Sequence, residues 1–310
     1  MKILLFNFNE ILTDVANELV DRGHTILPND GKDSTWKKAD VAVLWNETPM
    51  GGWDVWIQKL RKNKIRTVLV QHGRRGTSRI HPPFNEPLQS DVVCVWGDND
   101  IKRLTHSGVP ISKILKTGTT IFGNLKPKKP HSGINVVFSP EHWDADVAEN
   151  LIVKRQLEKL DGKNGITVIS KLLIDEHTPN MYPNPVWSDR RKNGHLSICT
   201  DVLSVADVVV AISESTFELL AEALDIPVVI ADIWVPKACA GDERYRYYNR
   251  EFSDACHRVK DVSKLNSAVL EAIKHPEKLK KERAEIVVLD GGTDVENPLE
   301  AIIKVIENNG

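Results

Sequence analysis

Three hydroxyl-bearing residues, Ser213, Ser215 and Thr216, follow the apolar run Val208–Ile212, and a helical pattern begins at once after them. The first turn of a helix has unpaired backbone N–H groups and a partial positive charge. Hydroxyls placed there add hydrogen bonds to a phosphate. Ser215 followed three residues on by Glu218 also has the spacing of a capping box. The two readings are compatible, because a capped helix start at a strand end can still receive an anion. Glu218 and Glu222 lie four apart on one helix face. A carboxylate beside a phosphate site can accept from both ribose hydroxyls; each equally suits a solvated helix face. Glu218 is nearer the phosphate end and is the preferred candidate.

A second constellation is Val68-Leu69-Val70-Gln71-His72-Gly73. A buried strand ends in a turn that Gly73 permits, and His72 is presented at the strand's carboxyl end. Histidine titrates near neutrality and suits general-base work, such as taking the proton of an attacking hydroxyl; a histidine satisfied within the core is the alternative. Arg74, Arg75 and Arg79 follow and offer planar donors for a diphosphate or an anionic acceptor, or else a solvated basic loop. Asn7 and Glu10 after the first strand, and Asn46 and Glu47 after the third, are acceptor-contact candidates. Ser139 and His142, after the first strand of the second half, are within reach of the same diphosphate. The first turn lacks the GxGxxG of dinucleotide-binding domains, which argues against a nicotinamide or flavin cofactor. No Cys/His spacing suits zinc, and no metal is expected.

These residues need elements to hold them at strand ends. The 310 residues exceed a single core's usual size and predict two domains. Strands at 3–6, 24–27, 41–45, 67–70, 92–96 and 114–117 alternate with helices at 11–22, 53–62 and 98–107. The strands are apolar along their length, as in a parallel sheet covered on both faces. Lys126–Gly133, rich in Pro and Lys, reads as a linker. The pattern then restarts, with strands at 135–139, 167–170, 208–212 and 228–231. Helices are expected at 144–160, 201–205, 215–224, 262–274, 276–287 and 299–308, with 172–193 loop-like. Ligands of such sheets bind at the carboxyl ends of the strands.

The span 206–230 resembles the nucleotide-binding element of GT-B glycosyltransferase-like enzymes, among them capsule-polysaccharide sugar transferases, CDP-glycerol glycerophosphotransferases and UDP-N-acetylglucosamine 2-epimerases. With Pro227 aligned, Ser215-Thr216 falls at the family's hydroxyl pair. The family's helix acid lies about seven residues before that proline, where this chain has Leu220, flanked by Glu218 and Glu222. Trp96-Gly97-Asp98, Gly108-Val109-Pro110, Thr117-Gly118-Thr119 and Asp290-Gly291-Gly292-Thr293 are similar to further family turns, so the resemblance covers roughly 67–125 and 195–310. It implies two Rossmann-like parallel-sheet domains facing a cleft: an acceptor domain (1–126, with helix 299–310 crossing back to it) and a donor domain (133–297). It implies His72 as base, from the family's His-Gly. It also implies Lys171 as a diphosphate contact, from a Lys-x-His-Pro element whose His is missing here; His177 is a candidate substitute.

The function these residues suggest is glycosyl transfer from a nucleotide diphosphate-sugar, UDP- or CDP-linked, to a hydroxyl acceptor, without a metal or a resident cofactor. The leaving diphosphate would be held by Ser215, Thr216, Lys171 and the helix start. Alternatives are a CDP-glycerol-type glycerophosphotransferase, a UDP-N-acetylglucosamine 2-epimerase-like enzyme and a non-catalytic nucleotide-sugar binding protein. A net charge of −2 disfavours nucleic acid as acceptor. Four scattered cysteines and the lack of an 18-residue apolar run suggest a cytoplasmic protein without a transmembrane segment, monomeric or dimeric.

Overall fold

The computed structural model describes residues 1–6, 10–29, 32–45, 53–74, 88–106, 108–140, 148–173, 182–188, 195–212, 215–233 and 253–308. The chain divides into two compact units. One comprises Met1–Gly73, Ile80–Thr120 and Val288–Gly310; the other comprises Arg74–Arg79 and Ile121–Val287.

The first unit is built on β1 (Lys2–Leu5), β2 (Thr25–Leu27), β3 (Val41–Leu44), β4 (Arg66–Val70), β5 (Val92–Val95) and β6 (Ile114–Lys116). They form one parallel sheet in the order β2-β1-β3-β4-β5-β6. Successive side chains of a strand point to opposite faces, and both faces are apolar. Leu4, Ala42, Leu44, Leu69, Val93 and Val95 belong to one core; Ile3, Leu5, Val41, Val43, Val68, Val70 and Cys94 belong to the other. Burial pushes the Cys94 thiol up to about 12, as suits an inert core residue. The helices are α1 (Glu10–Asp21), α2 (Asp33–Trp36), α3 (Trp53–Lys62) and α4 (Asp98–His106).

The last helix of the chain, α10 (Pro298–Glu307), belongs to this unit. Ile302, Ile303 and Ile306 join Leu12, Val15 and Leu19 of α1 in the core on one sheet face. Burying an isoleucine contributes about 1.5–3 kcal/mol, so three of them dock the helix firmly. Arg66 donates to Ile306 O at 3.1 Å and Val305 O at 2.8 Å, satisfying carbonyls a helix end leaves open. Two of the turns that resembled family motifs meet just before it. Gly292 has φ +63°, and a Cβ there would lie 1.9 Å from Trp96 O; a Cβ on Gly97 would lie 2.0 Å from Leu289 O. Only glycine permits these backbones to touch.

The second unit contains β7 (Ile134–Ser139), β8 (Ile166–Leu173), β9 (Pro185–Ser188), β10 (Val208–Ala211), β11 (Val228–Ala231) and β12 (Cys256–Val259). Their order is β12-β11-β10-β7-β8-β9, all parallel. Helices α5 (Ala148–Leu157), α6 (His195–Leu203), α7 (Thr216–Ala223), α8 (Leu265–Lys274) and α9 (Lys280–Gly291) follow in chain order. The stretch read as a linker is tied to this unit: Lys126 pairs with Asp201 at 2.7 Å, Lys128 pairs with Asp207 at 2.7 Å, and Lys129 N donates to Ser204 O at 2.7 Å.

Several expected elements are displaced. The helix expected at 201–205 is α6 and begins at His195. Ile198 and Thr200 are β-branched and mildly disfavour helix, yet Cys199, Val202 and Leu203 bury one helical face. The helix expected from Pro276 begins at Lys280. Arg283, fully buried, holds the preceding turn by donating to Pro276 O and Lys278 O, and pairs with Asp225. Strand β9 falls inside the stretch expected to be loop, and β12 is unexpected. Both are edge strands. Among the described residues, no helix is long and apolar enough to cross a membrane.

Candidate functional site

In the second sheet the strand order reverses between β7 and β10, the place where open α/β sheets bind ligands. There Ser139, the last residue of β7, stands opposite Ala211, the last of β10. Helix α7 begins five residues beyond Ala211. Its N-cap is Ser215, in extended conformation with φ −136°.

The cap is a full capping box. Ser215 Oγ accepts from Phe217 N at 3.2 Å, while Glu218 Oε2 accepts from Ser215 N at 2.7 Å and from Ser215 Oγ at 2.5 Å. Glu218 is buried, and that burial pushes its carboxyl up; the bonds from Ser215 and the charge of Lys171 act in the opposite direction. Glu218 is therefore committed to organising the helix start. Lys171, on β8 and also buried, sets its ammonium 5.2 Å from the centre of the Phe217 ring. The sheet thus brings a lysine, a capped helix start and the Ser215-Thr216 pair together.

The two hydroxyls are not equivalent. A hydroxyl has one proton to donate. That of Ser215 goes to Glu218. Thr216 Oγ1 instead accepts from Arg74 N at 2.9 Å, which leaves its proton to a further acceptor.

Two candidates change role. Arg74, expected at a phosphate or acceptor, is turned inward: its guanidinium lies 3.3 Å from Glu222, with side chains 1% and 0% exposed. A buried guanidinium needs a carboxylate near it, and Glu222 supplies one. Glu222, read as a solvated or ribose-binding acid, also accepts from Cys256 Sγ at 3.4 Å. Neither glutamate of α7 lies on a solvated face.

In the first unit, His72 lies in the turn after β4 and is exposed. Its Nδ1 is 2.7 Å from Trp45 O, and its ring stands edge-on to the Trp45 indole at 4.5 Å. A carbonyl only accepts, so the neutral ring carries its proton on Nδ1 and its lone pair on Nε2. That is the tautomer a general base needs. Trp45 follows β3, next to β4 in the sheet; the sequence reading missed it because the two residues lie 27 apart.

Ser213, His142, Arg75, Arg79, Asn7, Asn46, Glu47 and His177 lie outside the described residues, as does the side chain of Glu10. The sequence holds two Asp-x-Asp strings, a spacing common among metal-bound diphosphate sites, where none was expected: Asp98-Asn99-Asp100 and Asp144-Ala145-Asp146. In the first, Asp98 pairs with Lys116 at 2.9 Å and Asp100 with Arg103 at 3.3 Å; the second lies outside the described residues. Among the described residues, no group of three or more His, Cys, Asp or Glu is arranged to hold a metal ion.

Two parallel six-stranded sheets, each interleaved with helices, define the two-domain Rossmann-like GT-B fold. The chain is similar in structure to S. aureus MnaA solved with UDP, at 9% identity over 99% of this chain and 94% of that one, with a TM-score of 0.62. It is also similar to UDP-GlcNAc 2-epimerase from Neisseria meningitidis bound to UDP-GlcNAc (10% identity, 98% and 99% of the chains, TM-score 0.61). A third similar structure is a variant of the wall teichoic acid polymerase TagF soaked with CDPG (10% identity, 98% and 87%, TM-score 0.63). No family model matches the sequence, and no curated protein matches it.

Proposed function

We propose that the chain transfers a glycosyl group from a nucleoside diphosphate-sugar to a hydroxyl acceptor. The observation that carries this reading is the His72 imidazole, held by Trp45 O with its lone pair on Nε2. In the proposed reaction Nε2 takes the acceptor's proton as the acceptor oxygen bonds the sugar carbon. The bond from that carbon to the diphosphate oxygen breaks, and the diphosphate leaves with the electron pair. The charge developing on the diphosphate meets the start of α7, the Thr216 hydroxyl and the Lys171 ammonium. Those groups supply positive potential from the chain itself, which supports a metal-independent reaction. The UDP of the MnaA structure and the UDP-GlcNAc of the Neisseria epimerase structure support a nucleotide-linked donor. The likeness to CDPG-soaked TagF favours one second reading, a CDP-glycerol-type glycerophosphotransferase with the same base.

A thermal-shift panel of UDP-, CDP-, GDP- and ADP-linked ligands, followed by product analysis with the stabilising donor, tests the reading, because a ligand that binds the folded state raises its stability. Stabilisation by a nucleotide-sugar with transfer of its sugar is expected. Stabilisation by CDP-glycerol alone would favour the second reading, and no stabilisation by any of them would contradict both.

The proton inventory at the hydroxyl pair gives a sharper expectation. Thr216→Val should weaken nucleoside diphosphate binding by about 1.5–3 kcal/mol, the worth of one hydrogen bond to a charged group, and Thr216→Ser should preserve it. Ser215→Ala should instead lower stability by about 0.5–2 kcal/mol through the lost cap. Calorimetry on the three variants checks the order; a larger loss of affinity at Ser215 than at Thr216 would reverse the assignment.

A further inference from the structure

Gln71, the residue before His72, uses every polar group it has. Its backbone N donates to Cys94 O at 3.1 Å, and its backbone carbonyl accepts from Trp96 Nε1 at 3.0 Å. Its side-chain oxygen accepts from Trp96 N at 2.9 Å. Its side-chain nitrogen donates twice, to Gly73 O at 2.9 Å and to Asp100 Oδ2 at 3.0 Å. An amide side chain offers two donor hydrogens, so that nitrogen is saturated. Gln71, Trp96 and Asp100 are all buried.

Two features of this network bear on His72. The bond from the Gln71 side chain to Gly73 O brackets His72 on both sides along the chain. A shift of its α-carbon strains or breaks this partly buried hydrogen bond, which costs free energy because one partner loses its bond away from bulk water. Asp100 accepts only, so it fixes which end of the amide is the donor. It is held in turn by Arg103, which reaches Asp290 at 3.1 Å, where Asn99 also donates at 2.8 Å. Packing alone would be served by leucine at a buried strand end. A saturated glutamine bracketing a histidine serves geometry.

We infer that Gln71 is a positioning residue for His72: its amide sets the turn so that the imidazole meets Trp45 O and keeps its lone pair on Nε2. The inference rests on the reading of His72 as the base, and the test separates the two. The double substitution Gln71→Glu/Asp100→Asn exchanges donor and acceptor, restoring the link between positions 71 and 100 but leaving nothing to donate to Gly73 O. Gln71→Asn keeps the amide and shortens its reach, and serves as second variant should the exchange fail to fold. Denaturation midpoint, donor KM, kcat and the ¹⁵N shifts of the His72 ring are measured on each.

The expected result for the exchange is a midpoint lowered by the lost bond to Gly73 O and the lost charge facing Arg103, with the chain still folded, an unchanged donor KM and kcat lower by about 10²-fold, as for a small misplacement of a reacting group. The ring, Nδ1-protonated in the wild type, should become a mixture of tautomers in both variants. Wild-type kcat in the exchange would overturn the inference, and so would an unchanged tautomer in both variants. The ring spectrum needs no turnover, so it judges the positioning role even if the chain proves to lack transferase activity.

Discussion

Replacing His72 by alanine is expected to lower kcat by about 10²- to 10⁴-fold, the range for loss of a positioned general base, with nucleoside diphosphate affinity unchanged. The expectation follows from the hydrogen bond to Trp45 O, which assigns the ring proton to Nδ1 and leaves Nε2 to take a proton. The residues proposed for the diphosphate are Thr216 and Lys171, at other positions in the fold, so base and donor contacts should separate experimentally. Steady-state kinetics with calorimetry on the same variant provides the check. The variant should also lose the acid limb of the kcat/KM–pH profile, since protonating the ring removes the base. Loss of nucleotide affinity in parallel with kcat would reassign His72 to binding.

The second large effect is on stability. Glu222→Ala leaves the Arg74 guanidinium, 1% exposed, without the carboxylate 3.3 Å away. Removing one partner of a buried ion pair costs about 3–5 kcal/mol, a large share of the roughly 5–15 kcal/mol that holds a protein folded. The double variant Arg74→Met/Glu222→Met should recover most of that loss, because apolar residues of similar volume replace a buried pair with little penalty. Urea denaturation of the two variants measures both quantities. A loss below about 1 kcal/mol in the single variant would mean that the pair is solvated, as exposed pairs are. Arg74 N also bonds Thr216 Oγ1, so the single variant should weaken nucleotide binding as well.

What the sequence discloses here is local or strongly apolar. The runs at β3, β10 and β11 are uniformly apolar because both faces of a parallel sheet are covered, and they are found where expected. The Ser215–Glu218 capping box is legible because its partners lie three residues apart. Strands β9 and β12 escape notice as edge strands: Pro185-Val186-Trp187-Ser188 and Cys256-His257-Arg258-Val259 are short and lack the continuous apolar run that marks a strand covered on both faces. The roles of Arg74 and Gln71 are illegible for another reason. Arg74 pairs with a glutamate 148 positions away, and Gln71 closes its network with residues 25 and 29 away. Composition shows such residues as polar and says nothing of which partner neutralises them. Glu218 and Glu222 show the same gap: spacing placed them on one face, but only the fold reveals that one caps the helix and the other neutralises a buried arginine.

The central claim is that a nucleoside diphosphate is held at the start of α7 by Thr216. A crystal structure of the chain with the nucleoside diphosphate that stabilises it most tests that claim directly. The expected result is a phosphate oxygen within hydrogen-bonding distance of Thr216 Oγ1, with Ser215 Oγ still on Glu218. A diphosphate bound away from α7, or one that draws Ser215 off Glu218 while leaving Thr216 untouched, would contradict it.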